Sequence, residues 1–221
     1  MKTLTSLAVV CLGLAVAADV DLTGTWHATG TGIDADLTLP GTLADAKLGT
    51  KWTYETFKAC TDRPQTGALV REYQHLGKVR YSRKVTLRAA DCKGGPLELS
   101  LERVMWASSV SFDGTPLGLC ESLATPHVYT IPASLATPGE HTLVVEVDNA
   151  PRHGFSRYSH SYGPVMQSVW HGLLGELTIR RAHPLRTARV FAEAPAKGVF
   201  RVEVPASFDP SVPGAVSVAG L

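Results

Sequence analysis

The sequence predicts an all-β protein built as an antiparallel sandwich. Three observations carry this. Short segments with an apolar residue at every second position follow one another from Leu22 onward. Glycine and proline, 20 and 14 of the 221 residues, are spread between those segments, where turns need them. After the N-terminal stretch, nothing keeps an apolar face at helical spacing over three turns.

The segments can be taken in order. Ala35 to Leu39 alternates. Val79 to Leu87 places Val79, Tyr81, Val85 and Leu87 on one face and Arg80, Ser82, Lys84 and Thr86 on the other, with Arg83 interrupting the apolar side. Leu97 to Leu101 alternates cleanly. Val104 to Phe112 groups Val104, Trp106, Val110 and Phe112, with Ser108 between them, and Asp113-Gly114 supplies a turn. Val128–Ile131 and Leu143–Val147 read as adjacent sandwich strands, with the Pro138-Gly139 turn between them. Glu176 to Arg180 completes the set. Such spacing, with β-branched and aromatic enrichment, is that of an antiparallel sandwich.

The N-terminus has a different character. Lys2 is followed by an uncharged run from Leu4 to Ala17, and Ala15-Val16-Ala17 fits the small-x-small rule of signal peptidase. Residues 1–18 are therefore expected to be a signal peptide, cut after Ala17 or Ala18. The run is short of the roughly 20 apolar residues that a membrane span needs. The mature chain is expected to be secreted or periplasmic, with no membrane contact after cleavage. An oxidising compartment permits disulfides. Cys60, Cys92 and Cys120 remain, so at most one pair can form, and their spacing does not choose it.

Composition bounds the partners. Hydrophobic residues make up 44% and charged residues 19%, with a formal net charge of +1 and no basic run. Nucleic acid is not an expected partner.

Two longer segments break the strand rhythm, Gly41 to Gly77 and Ala150 to Gly172. Long irregular loops in a compact domain are usually functional. Both are rich in aromatics, amides, His and Arg. Aromatic rings stack on the C–H faces of pyranoses, and polar groups bond the hydroxyls, so both loops suit a sugar-binding surface. After His183-Pro184, strand-like stretches at Ala188–Ala192 and Val199–Val204 flank a Lys197-Gly198 turn. Fewer than 40 residues follow Pro184, whereas an immunoglobulin-like sandwich needs about 100.

Seven stretches, in order, resemble one family: "LTGTWHA", "LPGTLADAKLGT", "YSRKVTL", "LELSLERVMWASSVSFDGTPLG", "ESLATPHVYTI", "TPGEHTLVVEVDN" and "SVWHGLLGELTI". The chain resembles the N-terminal sugar-binding domain of glycoside hydrolase family 2, the group of β-galactosidases, β-glucuronidases and β-mannosidases. That resemblance implies a jelly-roll β-sandwich of the galactose-binding-domain type over residues 19–183. It makes 184–221 the first strands of an incomplete immunoglobulin-like domain. In the family a C-terminal (β/α)8 barrel carries two catalytic glutamates, and loops of the first domain help form its glycone pocket. By analogy the candidate carbohydrate-binding residues are Trp52, Tyr54, Arg152, His160, Tyr162, Gln167, Ser168 and Trp170. Gln167 and Ser168 stand where several members have a sugar-bonding Asp, so that carboxylate is missing. Trp170 and Gly172 match family positions with a structural role.

The sequence singles out no catalytic residue, metal motif or cofactor motif. A retaining glycosidase needs two carboxylates about 5–5.5 Å apart, and Asp91, Asp113, Glu140, Glu146 and Glu176 read as solvated turn or outward positions. There is no G-x-S-x-G elbow for a serine hydrolase, and His153 and His160 match no strong ligand spacing. Structural Ca²⁺, common in jelly rolls, is not readable. The expectation is a non-catalytic carbohydrate-binding part of a secreted glycoside hydrolase, inactive alone. Its partners would be a β-glycoside and a catalytic barrel missing from this chain. The alternatives are a freestanding carbohydrate-binding module and a structural docking domain.

Overall fold

The structure is a computed structural model that describes residues 19–53, 55, 71–93, 95–155, 159, 169–182, 189–194 and 199–203. The predicted signal peptide, Cys60, Tyr54, His160, Tyr162, Gln167 and Ser168 lie outside the described residues.

Strands form where the period-two pattern runs, and they assemble into two main sheets. A five-stranded sheet contains β1 (Val20–Asp21), β4 (Gly41–Thr42), β8 (Leu97–Val104), β11 (His127–Ile131) and β13 (Gly172–Arg181), ordered β1-β13-β8-β11 with β4 also on β13. A six-stranded sheet contains β2 (Gly24–Gly30), β3 (Ile33–Leu39), β7 (Lys78–Leu87), β9 (Ala107–Phe112), β10 (Thr115–Glu121) and β12 (Gly139–Asp148), ordered β10-β9-β12-β7-β2-β3. Pairing in both is antiparallel. Two ribbons stand apart in hydrogen bonding: β5 (Thr50–Lys51) with β6 (Tyr73–Gln74), and β14 (Arg189–Ala194) with β15 (Val199–Glu203).

The inward faces of the two sheets meet in one apolar cluster. Trp26, Val79, Tyr81, Val110, Phe112, Leu143 and Val145 come from the six-stranded sheet; Leu97, Leu99, Leu101, Ile131, Leu177 and Ile179 come from the other. This is a β-sandwich, as the alternation predicts. Arg83, which interrupts the apolar face of β7, has a local answer. Its guanidinium lies 5.4 Å from the Trp26 ring centroid and donates to the carbonyls of Leu22 and Thr23. The long stem covers apolar surface while the charged head finds acceptors.

Four expectations change. Val104 to Phe112 is not one strand: the chain leaves the five-stranded sheet at Val104 and enters the six-stranded sheet at Ala107. Trp106 sits at that crossing, half-exposed rather than on the face shared by Ser108, Val110 and Phe112. The strands at Val128–Ile131 and Leu143–Val147 are not paired neighbours either, since β11 bonds β8 and β12 bonds β7 and β9. Two of the acidic residues expected in solvated turns are engaged. Asp91 is 4% exposed and accepts from the backbone and guanidinium of Arg88. Asp113 accepts from the Thr142 amide and lies 2.6 Å from His141.

Candidate functional site: a loop end held by Asn149

The sheet register gathers several loops at one end of the sandwich. Across the six-stranded sheet, Lys78 of β7 faces Asp148 of β12, Asp148 faces Ala107 of β9, and Ala107 faces Glu121 of β10. From that row leave the segments 71–77, 105–106, 122–126 and 149–171. Strand β13 starts at the same end, with Leu173 opposite Val104.

Asn149 ties these segments together. It is 1% exposed. Its Oδ1 accepts from the Gly77 amide at 2.9 Å, and its Nδ2 donates to the carbonyls of His75 at 2.9 Å and Trp170 at 3.0 Å. One amide therefore joins the strand end to the segment before β7 and to the segment before β13.

His171 is the second tie. Its Nε2 faces the Gly77 carbonyl at 2.9 Å, so that nitrogen carries the proton. Its Nδ1 then accepts from the Tyr81 hydroxyl at 2.7 Å. The His171 carbonyl accepts from the Leu43 amide at 2.8 Å, bringing in the chain after β4. Burial lowers the imidazole pKa to about 4 and raises that of the Tyr81 phenol. The His75 ring stands edge-on to His171, centroids 5.3 Å apart, and burial lowers its pKa too. The buried Nε2 of His75 and Nε2 of Gln74 have no hydrogen-bond partner.

Outside this buried frame lies a half-exposed group. Glu121 ends β10. Its Oε1 is 2.8 Å from His153 Nε2 and its Oε2 is 3.6 Å from Arg152 Nε. The His153 ring stands edge-on to Trp106 (centroids 5.5 Å) and to Phe155 (6.0 Å). Phe155 is 64% exposed. The Ser122 amide donates to the Trp106 carbonyl and the Trp106 amide to the Asp148 carbonyl, closing the strand ends behind the cluster.

Three predicted site residues can be placed. Arg152 lies against Glu121 in the half-exposed group. Trp170 is half-buried, and its carbonyl enters the Asn149 frame. Trp52 is half-buried beside the β5–β6 ribbon, its amide donating to Glu72. Glu121, Trp106, Phe155, Asn149 and His171 were not singled out. The Asp148-Asn149 strand end was a signal for one of them. The meeting of Glu121 with Trp106 depends on cross-strand register and leaves no local trace.

A serine–histidine pair does form elsewhere. Ser108 Oγ is 2.7 Å from His127 Nδ1 and 2.7 Å from the Tyr129 hydroxyl, and His127 Nε2 faces the Ser122 carbonyl. Ser108 and His127 are 1% and 0% exposed, so the pair satisfies buried polar groups rather than meeting a substrate. Cys92 and Cys120 are free thiols. Among the described residues no three metal-ligating side chains converge, and no helix is long and apolar enough to cross a membrane.

No protein-family model and no curated protein sequence matches the chain. Solved structures do. A β-glucuronidase from an uncultured Clostridium sp. is 14% identical, with TM-score 0.52, over 81% of this chain and 30% of that one. The crystal structure of Ruminococcus gnavus β-glucuronidase is 14% identical, with TM-score 0.52, over 75% of this chain and 29% of that one. At such identity the likeness is one of fold. The chain spans less than a third of the length of these enzymes, and the resemblance seen in the sequence extends to the architecture.

Proposed function

We propose that this chain is the non-catalytic, carbohydrate-binding N-terminal part of a secreted glycoside hydrolase of the β-galactosidase kind. Its sandwich is of jelly-roll type, and its loop end completes the glycone pocket of a barrel supplied by a further domain. The observation that carries this reading is the loop end itself. Asn149 and His171 hold the loops rigidly, and beside them a carboxylate, a guanidinium and aromatic rings face solvent. These are the side chains that recognise a pyranose, on a frame ordered before any sugar arrives. The fold shared with β-glucuronidases supports a β-glycoside as the ligand class.

Titration calorimetry of the purified chain against methyl β-galactoside, β-glucuronide and β-mannoside tests it. Millimolar binding with no hydrolysis of the matching nitrophenyl glycosides is expected, because a half-pocket holds few contacts. No heat with any sugar at millimolar concentration overturns the carbohydrate reading and favours a structural docking domain. Micromolar affinity would instead favour a freestanding module. Secretion is tested separately: expressed with its leader, the chain should begin at Ala18 or Asp19 when recovered outside the cytoplasm.

A further inference from the structure

We propose that Glu121, Trp106, Arg152, His153 and Phe155 form a subsite for a neutral pyranose ring, not for a uronic acid. The inference rests on the carbohydrate reading above and assigns the chemistry at one place within it.

Stability does not account for this cluster. Exposed ion pairs contribute about 0–1 kcal/mol, and a phenyl ring at 64% exposure buries little. Yet two cationic or ring nitrogens converge on one carboxylate while two aromatic rings flank His153. Such convergence orients the Glu121 carboxylate. Each of its oxygens faces one partner, which leaves lone pairs for a diol because a carboxylate can accept about four hydrogen bonds. Its side chain is 31% exposed, so those lone pairs can be reached. Phe155 offers an apolar face to sugar C–H groups beside it.

Charge decides the sugar class. The carboxylate at the centre would repel a uronate. Arg152, the cation beside it, already lies against Glu121, and Lys78 at the next strand end is bound to Glu146 at 3.0 Å. A neutral ring brings hydroxyl donors to the carboxylate and disturbs neither pair. The two ring nitrogens of His153 do not alter this, since Nε2 points at Glu121.

The test is calorimetry of the whole chain with methyl β-galactopyranoside and methyl β-glucuronide, using wild type, Glu121→Gln, Phe155→Ala and Glu140→Gln. Glu140 lies at the opposite end of β12, paired with Lys84. Thermal unfolding confirms that each variant is folded. The neutral glycoside should bind about tenfold more tightly than the uronide. Glu121→Gln and Phe155→Ala should each weaken it about tenfold, the scale of one charge-assisted contact, while Glu140→Gln leaves it unchanged. Neutral-sugar binding unaffected by either loop-end variant overturns the subsite while the broader carbohydrate reading stands. A preference for the uronide overturns the charge assignment in the same way. Absence of any sugar binding removes both readings.

Discussion

His171 is held neutral by its surroundings, and this makes acid the natural stress on the loop end. Its folded pKa, near 4, lies below the ordinary value of 6.5 because burial penalises the charged ring. Above pH 6.5 both folded and unfolded states leave it neutral, and the stability is fully present. As pH falls from 6.5 toward 4 the unfolded chain takes up a proton that the folded chain refuses, and stability is lost. A shift of that size corresponds to about 3 kcal/mol. His75 and His127, also lowered by burial, act in the same direction. The unfolding temperature should therefore drop between pH 7 and pH 5, and less so in His171→Asn, whose side chain cannot titrate. An equal drop in that variant would sink the assignment. Below about pH 4, Asp91 and Asp113 add to the loss. Arg88 and His141 respectively hold their carboxyls below the usual range, so this stability is present above 3.8 and lost as the pH falls further. Asn149→Ala is the harsher change, because it strips three backbone groups of their partner at a buried site. Its cost should be about 1–3 kcal/mol, read by denaturant unfolding.

At the scale of elements, the strands were legible and their partners were not. Period two identified β7, β8 and β12 because each has one buried and one solvated face, which is a local property. Whether β11 lies beside β12 depends on which sheet each joins, and that is settled by packing far away in sequence. The same limit hid the site: Glu121 and Trp106 meet because β10 and β9 pair with Glu121 opposite Ala107. Arg152 and Trp170 were found because their loops announce themselves by composition. Gly172, matched as a structural position, now has a mechanism. Its φ is 150°, and a Cβ there would lie 2.2 Å from the Gly41 carbonyl oxygen and 2.8 Å from Thr42 Cα. Gly172→Ala should force β4 off β13, with a loss of about 1–3 kcal/mol for overpacking. Leu143→Ala in β12, the strand between β7 and β9, should cost about 2–5 kcal/mol by opening a cavity. The first should expose the Leu43 amide, bonded to the His171 carbonyl, to hydrogen exchange, whereas the second should lower global stability without that local signature.

Across the whole molecule, cooperativity should divide along the sheets. The two large sheets share one core, so their strands protect one another and should open together. The β14–β15 ribbon has a different status, since its strands hydrogen-bond to each other and to neither large sheet. An isolated two-stranded hairpin is marginal in water, because little apolar surface is buried for the backbone entropy lost. Amides of Val190, Ala192 and Val202 should therefore exchange on the order of a hundredfold faster than those of Tyr81 and Val145, whose opening requires the sandwich to unfold. Limited proteolysis should cut within 183–203 before it cuts β7 or β12. If the ribbon proved as protected as β12, the boundary near Pro184 would be wrong and the hairpin would belong to the sandwich unit. Fast exchange there that is suppressed on adding a catalytic partner domain would show that the ribbon completes its sheet outside this chain. That outcome would also supply the barrel on which the loop end, with Glu121 and Arg152 at its rim, is expected to act.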